Sequence, residues 1–265
     1  MKRIQSCLIL LMVWLLHSVL SAASIPIIMG QETGANGEAL PISPLRIEMV
    51  KLLAKETGLD LVITPYPWRR AQLMSSEGRG IIWGQLRTPE TDAQYVFSPP
   101  IYTLYFWLVT RADQTFHYAK LEDLKGKTLS IPSDSHYEEA FEAVRGDWFQ
   151  IEDGAKSLEK RLLMLDIGRA NVLVLTTAQT DRTKLEQRLN CDFGHINQWR
   201  VLAKPMSKQD TLLAAAKHSR FLVPLATLSK AIERLHASGA IEQLLNERNA
   251  QSVKQCGTFP PAATR

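Results

Sequence analysis

From Ser24 onward the apolar residues of this chain alternate between short runs with strand character and stretches at helical spacing, which restricts the fold to α/β architectures. A first strand is expected at 25–29, followed by a polar loop at 30–37. Ser43 and Pro44 supply an N-cap and a first-turn proline, Leu45, Met49, Leu52 and Leu53 follow at helical spacing, and Gly58 closes the helix where a left-handed residue is tolerated. Strands at 59–64 and 81–83 flank a shorter helix that starts near Trp68 and ends before Gly78. The run 106–110 reads as a crossover strand, and a polar turn at 120–127 leads into a strand at 128–131. A second α/β series then occupies 135–144, 148–151, 155–165, 171–175 and 178–189, with a returning strand at 200–203. The last third reads as helical, at 212–216, 224–237 and 241–246, and 250–265 as a loosely held tail.

The amino terminus bounds the compartment. Lys2 and Arg3 precede an apolar run from Leu8 to Leu16, and small residues follow at Ser21, Ala22 and Ala23. This is the three-part pattern of a secretory signal peptide over 1–23, and its apolar run is shorter than the roughly 20 residues that a membrane span needs. Lys2 and Arg3 are the only charges in that segment, so the 31 basic and 27 acidic residues of the whole chain become 29 and 27 in the exported chain. Such a balance offers no electrostatic footprint for nucleic acid. Cys191 and Cys256 remain after cleavage, and in an oxidising compartment they are either a disulfide or two free thiols. The histidines are scattered without the spacing of a zinc site, so no metal or cofactor is expected.

Several segments, in order, resemble the family 3 extracytoplasmic solute-binding proteins that serve amino-acid ABC transporters. They are the helix and strand through Leu61, the aromatic stretch Pro67-Trp68-Arg69-Arg70-Ala71, the turn Glu77-Gly78-Arg79-Gly80, the segment from Leu86 to Tyr102, Leu121 to Ile131, and Ala214 to Ser219 with the helices that follow. The resemblance implies a two-lobed periplasmic-binding-protein-like fold of type II, with a ligand cleft between α/β lobes joined by two crossover strands. One lobe would comprise 24–107 and 204–249, the other 108–203. It further implies a monomeric periplasmic protein whose partners are a small-molecule solute and an inner-membrane ABC permease or sensor. The positions that match the family's ligand groups are Trp68, Gly84, Leu86 and Thr88 in the first lobe, and Ser135, His136 and Thr176 in the second.

The chain departs from that family at two charged positions. Thr91 stands where the family places the Arg that grips a substrate carboxylate, and Thr176 where it places the acid that meets the ammonium. Desolvated charges need partners, so losing both halves of this clamp argues against a standard α-amino acid. Arg69 and Arg87 remain as guanidinium groups for an anionic ligand. Each residue also has a plain structural role: Thr88-Pro89-Glu90 caps a helix, and Ser135 with Glu138 forms a capping box. The expected function is therefore solute capture without catalysis. The alternatives are a cyclohexadienyl-dehydratase-like enzyme, for which Glu32, Glu90, Asp134 and His136 are the cleft groups, and a ligand-poor partner-binding protein.

Overall fold

A computed structural model describes residues 24–31, 38–132, 137–155 and 157–254. Two mixed β-sheets organise them, and each sheet has helices and hydrophobic cores of its own. The first sheet has the order β2-β1-β3-β11-β4, from β1 (Ile25–Gln31), β2 (Leu61–Pro67), β3 (Ile81–Trp83), β4 (Tyr95–Phe97) and β11 (Leu213–Ala216). Its three leading strands are parallel, so their carboxyl ends at Gln31, Pro67 and Trp83 share one edge.

Helix α1 (Pro44–Thr57) connects β1 to β2. The Ser43 hydroxyl accepts the Arg46 amide at its start, and Gly58 ends it at φ 70 with its amide on the Ala54 carbonyl. Strand β2 runs without a loop into α2 (Trp68–Ser76). Met49, Val50 and Leu53 of α1 pack on Ile25, Ile27 and Met29 of β1, together with Leu225, Leu228 and Ile232 of α7 (Leu222–Ala237).

The second sheet has the order β10-β5-β8-β6-β7, built from β5 (Tyr102–Arg111), β6 (Thr128–Ser130), β7 (Gln150–Glu152), β8 (Val172–Thr177) and β10 (Ser207–Thr211). Strand β9 (Trp199–Val201) pairs with the far end of β5. Alternate residues of the central strands serve opposite faces. Phe106, Leu108, Val172 and Val174 face one core, while Trp107, Val109 and Leu173 face another.

The chain leaves the first sheet between Phe97 and Tyr102 and returns to it at Leu212. These two passages lie side by side. The Ser98 amide donates to the Leu213 carbonyl at 2.9 Å, the Leu213 amide to Ser98 Oγ at 2.9 Å, and the Ile101 amide to the Thr211 carbonyl at 2.8 Å. Two crossover strands thus join two lobes.

The crossover does not lie at 106–110, as its apolar run suggests; that segment is already the centre of β5 in the second sheet. The apolar run of β5 begins at Tyr102 without a break, and Tyr102 and Leu104 still touch the first core, so no compositional step marks the passage. Residues 213–216 form a strand and not the expected helix, because β11 is inserted between β3 and β4 and all four residues are buried. Burial on both faces there outweighs the helix preference of three alanines. The expected helix at 135–144 is reduced to α4 (Glu139–Glu142), and the two remaining second-lobe helices are α5 (Leu158–Asp166) and α6 (Arg182–Phe193). Helix α8 (Ala240–Lys254) extends well past 246, since no glycine or proline interrupts it. Among the described residues, no helix is long and apolar enough to cross a membrane; the segment 1–23 lies outside them.

Candidate ligand-binding cleft

Three segments leave the first sheet at the shared carboxyl edge: the end of β1, the junction of β2 with α2, and the loop after β3. The last of these carries most of the positions named from sequence. Gly84 has φ 79, a value that favours glycine, and a side chain there would meet nothing within 4 Å. Its amide is anchored to the Leu212 carbonyl of the crossover at 2.8 Å. Leu86 is 38% exposed, an open apolar side chain beside a polar loop.

Thr88 caps α3 (Pro89–Gln94), as the Thr-Pro-Glu pattern foretells. Thr91 completes the cap. Its hydroxyl accepts the Thr88 amide at 2.8 Å and lies 2.8 Å from the Leu86 carbonyl, to which it donates, while the Thr91 amide donates to Thr88 Oγ1 at 3.3 Å. The one hydroxyl proton of Thr91 is therefore engaged by the loop's own backbone. Arg87 is committed as well: its Nε donates to both carboxylate oxygens of Asp92 at 2.8 and 3.2 Å, and its guanidinium lies 5.5 Å from the centre of the Phe97 ring. The Thr88 hydroxyl and its own backbone amide hold the Glu90 carboxyl below the usual carboxylate range, which makes it a poor general acid.

At the neighbouring strand ends, Trp68 lies flat enough on β1 that a Cβ on Gly30 would come within 2.4 Å of its Cε3 atom. Trp68 nevertheless remains 37% exposed, so one part of the indole packs on backbone and another is open. Arg69 is exposed and takes part in no ion pair among the described residues. Arg70 is placed over the Tyr66 ring at 5.3 Å.

A polar cluster that sequence reasoning missed lies beside these groups. Arg46, in the first turn of α1, donates from Nη1 to the Gly30 carbonyl at 3.3 Å. The Tyr102 hydroxyl is approached by the side chains of Trp83, Thr211 and Arg46. Burial raises the Tyr102 pKa while the Arg46 charge opposes that rise, so the phenol stays protonated. Trp83 Nε1 is sealed from solvent close to that hydroxyl but makes no hydrogen bond of ordinary geometry. Gln85 is buried with Oε1 unpartnered. One sequence signal did point here: a cation in the first helical turn opposes the helix dipole and needs another reason to be there.

In the second lobe, Thr176, one residue before the end of β8, is in register with Phe106, exposed beyond the buried Val172 and Val174 on the same face. The buried rings of Phe106 and Tyr137 meet edge to face at 5.1 Å behind it. Ser135 and His136 lie outside the described residues, as do Glu32 and Asp134. Cys191 is disulfide-bonded, and Cys256 also lies outside the described residues. No group of three or more His, Cys, Asp or Glu is placed to hold a metal among the described residues. A shallow cavity lined by Ser76, Tyr95, Ala216, Lys217 and His218 lies at the opposite edge of the first sheet, away from these groups.

No protein-family model matches the chain, and no curated protein matches it. Solved structures do. The amino-acid ABC transporter substrate-binding protein AbpA from Streptococcus pneumoniae, bound to L-arginine, superposes with a TM-score of 0.64 at 16% identity, covering 88% of this chain and 97% of that one. A mutant of ArgBP from T. maritima gives 0.60 at 19% identity over 86% and 95% of the two chains. A histidine kinase sensor domain with similarity to periplasmic binding proteins gives 0.62 at 17% identity over 85% and 95%. The chain has the two-lobed fold of the amino-acid ABC transporter substrate-binding proteins.

Proposed function

We propose that this protein is exported by its segment 1–23 and captures a small polar solute between the lobe built on the first sheet and the lobe built on the second, whose boundary falls at the crossover near 98–101 and 212 and not at 107 and 204. The solute then passes to an ABC permease or is reported by a sensor, and it is not a standard α-amino acid in the usual two-charge pose. The contact surface on this reading comprises Trp68, Arg69, Gly84, Leu86 and Thr88 from the first lobe, and Ser135, His136 and Thr176 from the second. Thr91 and Arg87 support the loop. The state of Thr91 carries the proposal: its hydroxyl is consumed by the cap of α3, so neither a cation nor a free donor stands at that position. Thr176, with no charge, occupies the other half of the clamp. The fold supports capture, since solved proteins that share it are named for substrate binding and for sensing.

Closure of two lobes on a solute stabilises the native state by an amount that grows with the logarithm of ligand concentration over Kd. Thermal-shift measurements on the exported chain are expected to show a concentration-dependent rise with a non-zwitterionic solute and no rise with the standard α-amino acids. A rise with any one of those amino acids that disappears when either its carboxylate or its ammonium is blocked would sink the proposal.

A further inference from the structure

We propose that Arg46, with Tyr102 and Trp83, forms an anion subsite at the carboxyl edge of the first sheet that takes a carboxylate group of the solute. The inference rests on the solute-binding reading and names the chemical class of the ligand.

Four observations converge on it. Arg46 is half-buried, and no acid pairs with it among the described residues; Glu48, two residues on, is taken by Arg248. Among the described residues its guanidinium donates to the Gly30 carbonyl and approaches the Tyr102 hydroxyl, and five N–H groups leave it with donors beyond these two contacts. A partly desolvated cation without a counter-charge is costly, and its placement in the first turn of α1 adds repulsion from the helix dipole. Both costs are relieved by a bound anion.

The second observation is position. Trp68 packs against Gly30, one residue before the end of β1, and the Gly30 carbonyl is the group that the Arg46 guanidinium meets near the carboxyl end of the strand. Third, the Tyr102 hydroxyl is approached by both Arg46 and Trp83, which puts a neutral donor next to the cation. Trp83 is 4% exposed and its N–H has no hydrogen-bond partner among the described residues, so the cluster around Arg46 contains an unsatisfied buried donor. Fourth, Arg87 is locked on Asp92, so Arg46 takes the role that the loop after β3 does not fill. Trp68 then covers the apolar body of the ligand.

The test is calorimetric and thermal titration of the full exported chain with succinate, benzoate, glycerol and putrescine, repeated on Arg46→Gln, Arg46→Lys and Arg69→Gln. Circular dichroism and the ligand-free Tm report whether each variant is folded. The inference expects binding of at least one of the two carboxylates, weakened about tenfold or more by Arg46→Gln. Arg46→Lys is expected to retain part of that affinity, which keeps the test valid if the Gln variant does not fold. Equal carboxylate binding by wild type and a folded Arg46→Gln overturns the inference, as does a loss of affinity confined to Arg69→Gln. Binding of glycerol or putrescine alone leaves the solute-binding reading intact and removes the anion subsite. Silence across all four probes overturns the carboxylate assignment; the solute-binding reading is then decided separately by a broad solute library.

Discussion

Thr91 shows how one side chain can be read twice. As a cap it links Thr88 and Leu86 through two 2.8 Å hydrogen bonds, and on the proposed reading it is the uncharged group at a ligand-clamp position. Thr91→Ala should cost about 1 kcal/mol in urea unfolding, the usual loss for a cap, while solute affinity changes little if Thr91 supports the loop as proposed. A larger loss of affinity than of stability would show that the hydroxyl reaches the solute. Gly30 makes a second residue-scale prediction. Gly30→Ala forces the Trp68 ring away from β1 and should destabilise the protein by about 1–3 kcal/mol, measured by thermal or urea unfolding. The Thr88-Pro89-Glu90 cap was legible from residue types alone, because its logic is local. The Arg46 cluster was not, because it joins residues 46, 83, 102 and 211, which only the fold brings together.

Between elements, the crossover is held from outside by α7. His236 Nε2 lies 2.9 Å from the Pro100 carbonyl, and His236 Nδ1 lies 2.8 Å from Glu242 Oε1 of α8. Two acceptors on one ring require N–H on both nitrogens, which is the imidazolium. Burial pulls the His236 pKa down, but the Glu242 carboxylate and the Pro100 carbonyl outweigh it and the pKa rises above 6.5. On Glu242, burial pushes up and His236 pulls down, with a net fall below 4.5. The His236 contribution is therefore complete below the unfolded histidine range and lost as pH rises through its raised folded value; that of Glu242 is lost as pH falls through its lowered value. Unfolding free energy measured against pH should show this window between the two values in the wild type, and His236→Gln should flatten it. An unchanged pH profile in the variant would refute the latch. At this scale sequence reasoning found the strands and helices of the two α/β series but misread 212–216. Alanine runs favour helix locally, and only the slot between β3 and β4 makes this one a strand.

For the whole molecule, the alternation of strands and helices was enough to reveal two α/β lobes, while the exact passage between them was hidden in the unbroken apolar run of β5. On the proposed reading the fold serves capture and the residues at its strand ends set selectivity. Two uncharged threonines, Thr91 and Thr176, carry the proposal together with a half-buried arginine, Arg46, that has no acidic partner among the described residues. The most direct test is isothermal calorimetry of the exported chain against the standard α-amino acids and against small carboxylates without an amino group. The account predicts heat and saturation with a carboxylate and none with the amino acids. Saturable binding of an α-amino acid that depends on both of its charges would contradict it.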